Sequence, residues 1–145
     1  MAHDFARFPE LANSQMSEYY WESPHKQITE DFRAKVIKVH DGDTITLRTD
    51  FRNFDFPLRF LNTNAPEMSE GGEESRDWLR RRILGEDVDI QIDLRQRVGK
   101  FGRLLGIVFH AGMNVNDESI RAGMATDFNR RAEGALQDIN RELMK

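Results

Sequence analysis

The order of the secondary-structure segments that the sequence predicts constrains the fold of this chain most. Three segments of alternating or β-branched residues come first, and an amphipathic helix, two more strands and two helices follow. The predicted strands cover residues 34–39, 44–48, 56–61, 88–92 and 104–109, and the predicted helices cover residues 74–84, 115–122 and 130–143. Five strands with a helix after the third is the order of an OB-fold barrel. We therefore predict an α+β protein, built as a five-stranded OB-fold-like β-barrel with three helices.

Residues 1–31 differ from the rest of the chain and are predicted to form an N-terminal arm, while residues 32–145 form the barrel domain. Pro9 suits the first turn of a helix, and Pro24 should end that helix. Apolar side chains recur in the arm at helical spacing, and they are Phe8, Leu11, Ala12, Met16, Tyr19 and Tyr20. This amphipathic arm could pack on its own barrel, dock onto a partner or mediate self-association, and the sequence leaves these alternatives open.

The composition excludes several classes of site. The chain of 145 residues has no cysteine, which rules out disulfides and thiolate metal sites, and no two of its four histidines are spaced four apart. We therefore expect any bound metal to be a hard cation held by oxygen. No apolar segment is long enough to span a membrane, and the N-terminus lacks the pattern of a signal peptide, so we expect a cytoplasmic protein.

The distribution of charge limits how the chain could bind nucleic acid. The net charge is −4, and the N-terminal arm accounts for all of it, because residues 32–145 carry equal numbers of basic and acidic side chains. A barrel with balanced charge does not present a cationic surface to a polyanion. Nucleic-acid binding would instead require a local cationic site.

Three segments carry residues suited to phosphodiester chemistry, although each has an ordinary explanation when taken alone. Asp41 and Asp43 flank a glycine between two strands, which is typical of a hairpin turn but also allows two carboxylates to face one cation. Arg59 lies near a strand end, where arginines are usually solvated, and Arg103 follows a basic turn. Glu67 lies in the predicted loop over residues 62–72, after the third strand.

Hydrolysis of a phosphodiester requires a cation on the phosphate oxygens, a base for the attacking water and further fixed positive charge. Arginine suits the last role because its planar guanidinium binds two phosphate oxygens at once. The chain offers an acidic cluster, the isolated carboxylate of Glu67 and the two arginines Arg59 and Arg103, all at strand ends or in adjoining loops. The combination therefore supports a nuclease.

From about Arg33 to Leu143 the chain resembles the staphylococcal nuclease (thermonuclease) family. Five segments carry the resemblance in the same order along the chain: VIKVHDGDT at 36–44, LRFLNTNAPE at 58–67, GEESRDWL at 72–79, KFGR at 100–103 and VNDESIRAGMA at 115–125. Each segment alone is a weak signal, but five of them in the right order are specific.

The resemblance implies a metal site. Asp43 would ligate Ca²⁺, with Mg²⁺ or Mn²⁺ as alternatives. The side chain of Asn64 and the backbone carbonyl of Ala65 would complete the ligands, and Asp41 would lie behind Asp43 in the outer shell.

The resemblance also implies the remaining catalytic roles. Glu67 would orient or deprotonate the attacking water, and Arg59 and Arg103 would stabilise the phosphorane-like transition state. Lys100 and Phe101 would contact the nucleotide. The implied function is a metal-dependent nuclease acting on single-stranded DNA, RNA or both, and endonucleolytic and exonucleolytic action both stay open.

Asn64 departs from the family pattern, because the family has a second metal-binding aspartate at that position. The amide oxygen of Asn64 can still coordinate calcium, but one negative charge is lost, so we predict weaker binding. Phe101 similarly replaces a tyrosine that is usual in the family. The alternative function is a catalytically weakened or inactive OB-type module that binds nucleic acid without cleaving it.

Overall fold

A computed structural model of the chain describes residues 8–19, 23, 25–99 and 102–127. The helix predicted over residues 130–143 lies outside these ranges, as do Pro24 and the two predicted nucleotide contacts, Lys100 and Phe101. Within the described ranges, no helix has the length and apolar character needed to cross a membrane.

The described residues form eight strands and three α-helices. The strands are β1 (Phe32–Asp41), β2 (Thr44–Arg48), β3 (Phe56–Phe60), β4 (Thr63–Asn64), β5 (Asp87–Gln91), β6 (Leu104–His110), β7 (Met113–Asn114) and β8 (Thr126–Asp127). The helices are α1 (Asn13–Tyr19), α2 (Gly72–Ile83) and α3 (Val115–Arg121). The order of the long elements is the predicted one, and α2 begins two residues earlier than the predicted helix.

Five strands close into a barrel. Strand β1 pairs antiparallel with β2 and β5, β2 pairs with β3, and β5 pairs with β6. A parallel pairing of β3 with β6 closes the sheet. The predicted OB-fold-like barrel is therefore confirmed. Its closing pair matters for function because it brings the end of β3 beside the start of β6.

Apolar side chains fill the barrel, and α2 covers them. In β1 the buried residues Ala34 and Val36 alternate with exposed ones, and a β-bulge after Val36 shifts the phase so that Val39 is buried in turn. Leu79 and Ile83 of α2 lie four residues apart on one helical face and are fully buried in the same core. The barrel therefore provides a rigid support for the loops at its ends.

Helix α1 begins at Asn13, whereas the sequence predicted a helix with Pro9 in its first turn. The preceding backbone is bound by distant parts of the chain and is not free to form helical hydrogen bonds. The N–H of Glu10 donates to the carbonyl of Gly102 at 3.0 Å, and the carbonyl of Leu11 accepts from Arg97 at 2.6 Å. Tertiary hydrogen bonds therefore override the local helical pattern here.

Candidate active site

The turn between β1 and β2 holds two carboxylates next to each other. Asp41 pairs with Thr44, so that Gly42 and Asp43 form the turn. The Asp41 carboxylate accepts the backbone N–H of Asp43 at 3.0 Å, and the Asp43 carboxylate accepts the Thr44 hydroxyl at 3.0 Å. These short-range bonds are typical of aspartate in turns, and they fix both side chains at the end of the barrel.

Gly42 is required by packing, a role that sequence reasoning missed. A Cβ atom at this position would lie 1.8 Å from the hydroxyl oxygen of Ser75 and 2.9 Å from the Cβ of Ala65. Ser75 is buried in α2, and its hydroxyl donates to the carbonyl of Met124 at 2.6 Å. The turn therefore lies directly against α2, and nothing in the local sequence indicates this close approach.

Arg59 connects the turn to the loop that follows β3. It pairs with Thr44 across β2 and β3, which brings its guanidinium to Asp43, with Nη1 3.2 Å from Oδ2. The same guanidinium donates to the carbonyl of Thr63 at 2.6 Å and to the side-chain oxygen of Asn64 at 2.7 Å. One side chain therefore contacts two of the predicted metal ligands.

The backbone of the same loop also reaches Asp43. The N–H of Ala65 donates to Oδ2 of Asp43 at 2.8 Å. Asp41, Asp43 and Asn64 thus provide two carboxylates and an amide oxygen in one place, the oxygen-donor chemistry that suits a hard cation, whereas Ala65 meets Asp43 through its N–H. Within the described residues, no group of three or more histidine or acidic side chains could hold a metal ion. The site has only two carboxylates because Asn64 is an amide.

The two carboxylates do not have equal acidity. Burial raises the pKa of Asp43 to about 6, and its hydrogen bond with Asp41 adds to this effect, while the Ala65 N–H and the Arg59 guanidinium oppose it. Burial also raises the pKa of Asp41, but its hydrogen bonds with Asp43 and Thr44 and the nearby Arg59 charge together outweigh burial, so the net pKa of Asp41 is lowered. The pair is crowded with negative charge, which a cation would relieve.

Arg103 lines the same cleft as Arg59. The cleft has a volume of about 400 Å³, and Asn64 also lines it. The parallel pairing of β3 with β6 places Arg59 beside Leu105, two residues after Arg103. The Nε atom of Arg103 is buried and has no hydrogen-bond partner among the described residues. A buried donor without a partner costs about 1–3 kcal/mol.

The Glu67 side chain is separate from this group. It is exposed, and its carboxylate makes no hydrogen bond or ion pair within the part of the chain that is described. Its backbone carbonyl accepts the N–H groups of Glu70 and Gly72, each at 2.9 Å, which anchors the loop to the start of α2. A Cβ at Gly72 would lie 2.7 Å from that carbonyl oxygen, so this glycine is required as well.

The structure therefore brings most of the predicted site residues together. Direct contacts join the members of one group, which are Asp41, Asp43, Arg59, Asn64 and Ala65. Arg103 shares the cleft with two of them. Glu67 follows this group by two residues but contacts none of it through its side chain.

The family of the chain follows from a comparison with known proteins. Residues 57–143, more than half of the chain, match the family model of staphylococcal nuclease homologues. The chain belongs to the staphylococcal nuclease homologue family. The matched region contains five of the predicted site residues that the structure describes, including both arginines and Glu67.

Several curated proteins are similar to this family member. A protein named "uncharacterized endonuclease" from Escherichia coli O157:H7 is 35% identical over 97 residues, which cover 66% of this chain and 60% of that protein. Another of that name from Haemophilus influenzae is 30% identical over 93 residues, covering 63% and 50%. A "thermonuclease" from Staphylococcus hyicus is 29% identical over 98 residues, covering 63% and 56%. The chain thus spans between half and three fifths of the length of these relatives.

Proposed function

We propose that this protein is a metal-dependent nuclease that hydrolyses phosphodiester bonds of single-stranded DNA or RNA. The observation that carries the proposal is that the acidic pair contacts Arg59, and that Arg59 and Arg103 line one cleft. Asp43 contacts Arg59 at 3.2 Å, and Arg59 and Arg103 line the same 400 Å³ cavity. The names of the similar proteins, two endonucleases and a thermonuclease, support the same reaction class.

The metal-holding role falls to Asp43, the side-chain oxygen of Asn64 and the backbone carbonyl of Ala65, with Asp41 behind Asp43. When bound, a divalent cation supplies positive charge to the phosphate oxygens and lowers the pKa of coordinated water. Calcium suits this set of oxygen donors, and magnesium or manganese are the alternatives. The Arg59 guanidinium contacts a carboxylate oxygen of Asp43 and the side-chain oxygen of Asn64, which holds both proposed ligands beside it.

The two arginines bind the phosphate. A guanidinium donates two parallel hydrogen bonds to phosphate oxygens, and such bonds strengthen as negative charge develops in the transition state. Arg103 lines the cleft, and its Nε has no partner among the described residues, so a shift of this side chain towards a phosphate breaks no hydrogen bond of that atom. Arg59 is held by Thr63 and Asn64, which fixes its orientation.

Glu67 is the general base in this proposal. Its carboxylate is exposed and unpaired within the described residues, and it lies in the loop directly after Asn64 and Ala65. An unpaired carboxylate at this position can accept a proton from water without breaking an ion pair. Lys100 and Phe101 are proposed to contact the nucleotide.

A second function is favoured by one observation. Asn64 leaves the site with two carboxylates, so metal binding could be too weak for turnover, and the cleft would then bind nucleic acid without cleaving it. OB-fold proteins commonly bind single strands through a cationic groove. This alternative predicts salt-dependent binding to single-stranded DNA and no cleavage with any divalent cation.

A cleavage assay separates the two functions. A labelled single-stranded oligonucleotide is incubated with the protein in calcium, magnesium, manganese or chelator, beside the Glu67→Gln variant. The nuclease proposal expects cleavage with at least one cation, none with chelator, and a large loss of rate in Glu67→Gln. Equal rates for the variant and the natural protein would refute the assigned base. Binding without cleavage in every cation would favour the second function.

A further inference from the structure

Arg103 lies in a short hairpin that leads into β6, and we call its described residues, 97–99 and 102–105, the arginine hairpin. The N–H of Gly99 donates to the carbonyl of Arg103 at 2.8 Å, and the N–H of Leu105 donates to the carbonyl of Arg97 at 2.9 Å. Arg97 is thus the base of the hairpin, and the position of its backbone influences where Arg103 lies.

The Arg97 side chain is bound by the N-terminal arm. This side chain is almost fully buried at 2% exposure. Its guanidinium donates to the carbonyl of Ile28 at 2.6 Å, to the carbonyl of Leu11 at 2.6 Å and to the side-chain oxygen of Gln27 at 3.4 Å. All three acceptors belong to the arm. A buried guanidinium requires such acceptors, so the base of the hairpin and the arm are fixed to each other.

The arm also contacts the far side of the hairpin. The N–H of Glu10 donates to the carbonyl of Gly102 at 3.0 Å. A Cβ at Gly102 would lie 2.2 Å from the Cβ of Pro9, so the two backbones are in close contact. Gly102 directly precedes Arg103. The arm therefore contacts the arginine hairpin at two points, its base at Arg97 and Gly102 directly before the residue proposed to bind phosphate.

The arm is itself attached to the barrel at another point. The Glu10 carboxylate pairs with Arg52 at 2.5 Å, and both side chains are buried. Arg52 also donates to the carbonyl of Lys26 at 2.9 Å, and its guanidinium lies over the ring of Phe56 at 4.5 Å. Arg52 belongs to the turn between β2 and β3. The arm thus connects this turn to the arginine hairpin.

We infer that the N-terminal arm is a positioning element for the proposed nuclease site, and that Arg97 and Gly102 transmit its effect to Arg103. This inference rests on the proposed function. A guanidinium must be held close to its productive position to stabilise a transition state, and a displacement of about 1 Å can cost on the order of 10²-fold in rate. The arm supplies this restraint through three hydrogen bonds to Arg97 and one backbone contact at Gly102.

Gly102→Ala tests the inference, and Gly85→Ala is its matched control. Both glycines have positive φ, at 69° and 80°, so both substitutions strain the backbone. A Cβ at Gly102 meets Pro9, whereas a Cβ at Gly85 meets nothing within 4 Å. The expected result is a kcat reduced about 10-fold or more in Gly102→Ala with little change in KM, and a kcat close to that of the natural protein in Gly85→Ala.

A double-mutant cycle distinguishes positioning from general loss of structure. If the arm acts through Arg103, then Gly102→Ala has no further effect on kcat in an Arg103→Ala background. Arg97→Lys keeps the positive charge but loses the planar guanidinium, so it should retain more activity than Arg97→Met, which loses both. An equal loss from Gly102→Ala in both backgrounds, or equal kcat values for Gly102→Ala and Gly85→Ala, would overturn the inference.

Amide hydrogen exchange measures the restraint independently of cleavage. Exchange at Gly99 and Leu105 should accelerate in Gly102→Ala and in Arg97→Met but not in Gly85→Ala. An inactive natural protein would contradict the proposed function, and the exchange rates would still decide whether the arm restrains the hairpin. Unchanged exchange in both hairpin variants would overturn the inference even if the protein is an active nuclease.

Discussion

The buried ion pair between Glu10 and Arg52 gives a direct test of how the N-terminal arm is attached to the barrel. The two side chains are 1% and 2% exposed, and 2.5 Å separates their charged atoms. Glu10→Ala would remove the carboxylate and leave the Arg52 guanidinium buried with a single carbonyl, that of Lys26. Breaking one side of a buried pair costs about 3–5 kcal/mol, because the remaining charge loses its compensation.

The expected result is a decrease of about 3–5 kcal/mol in the free energy of unfolding of Glu10→Ala, measured by urea denaturation. The double variant Glu10→Leu/Arg52→Met should recover most of this loss, since it buries no charge. The exposed pair of Arg33 and Asp89, whose charged atoms are 3.4 Å apart, is the control, and Asp89→Asn should cost less than about 1 kcal/mol. A loss below 1 kcal/mol for Glu10→Ala, or no recovery in the double variant, would refute the reasoning.

The remaining predictions concern pH, catalysis and packing. Burial raises the pKa of Glu10, but the hydrogen bonds and charges of His25 and Arg52 together outweigh burial and lower the pKa below 4.5. The pair should therefore stabilise the fold above about pH 4.5 and lose that contribution as pH falls through the lowered pKa, which urea denaturation of the natural protein and of Glu10→Gln at several pH values measures. Arg103→Ala should reduce single-turnover cleavage about 10²–10³-fold. Gly42→Ala should destabilise the fold by about 1–3 kcal/mol in denaturation experiments, because its Cβ would overlap Ser75.

The arrangement of the barrel could be predicted from the sequence because it depends on local patterns. Alternating side chains identify β2, and the helical spacing of Leu79 and Ile83 identifies α2. The order of these elements then indicates the barrel. The short pair of β4 with β8 joins two-residue strands that are far apart in the chain, and segments this short have no recognisable periodicity.

The site could be predicted only as a set of residue types. The sequence identifies Asp43, Arg59 and Asn64 as candidates, but their contacts depend on the pairing of β2 with β3 and on the path of the following loop. The attachment of the arm could not be predicted. Arg97 resembles any other charge in a basic loop, and its burial depends on carbonyl groups about 70 and 86 residues earlier in the chain.

The missing charge at Asn64 has a consequence for the proposed metal site. The site has two carboxylates and an amide where the family pattern has a further aspartate. Calcium affinity follows the number of charged ligands. Under the proposed function, the cation concentration needed for cleavage therefore depends on the charge carried by this position and by Asp43.

The calcium concentration that gives half-maximal cleavage of a single-stranded oligonucleotide tests the central claim most directly. It should be measured for the natural protein, for Asn64→Asp and for Asp43→Asn. A metal-dependent nuclease with its cation at these residues predicts the lowest value for Asn64→Asp and the highest value, or no cleavage, for Asp43→Asn. Equal values in all three proteins would contradict it.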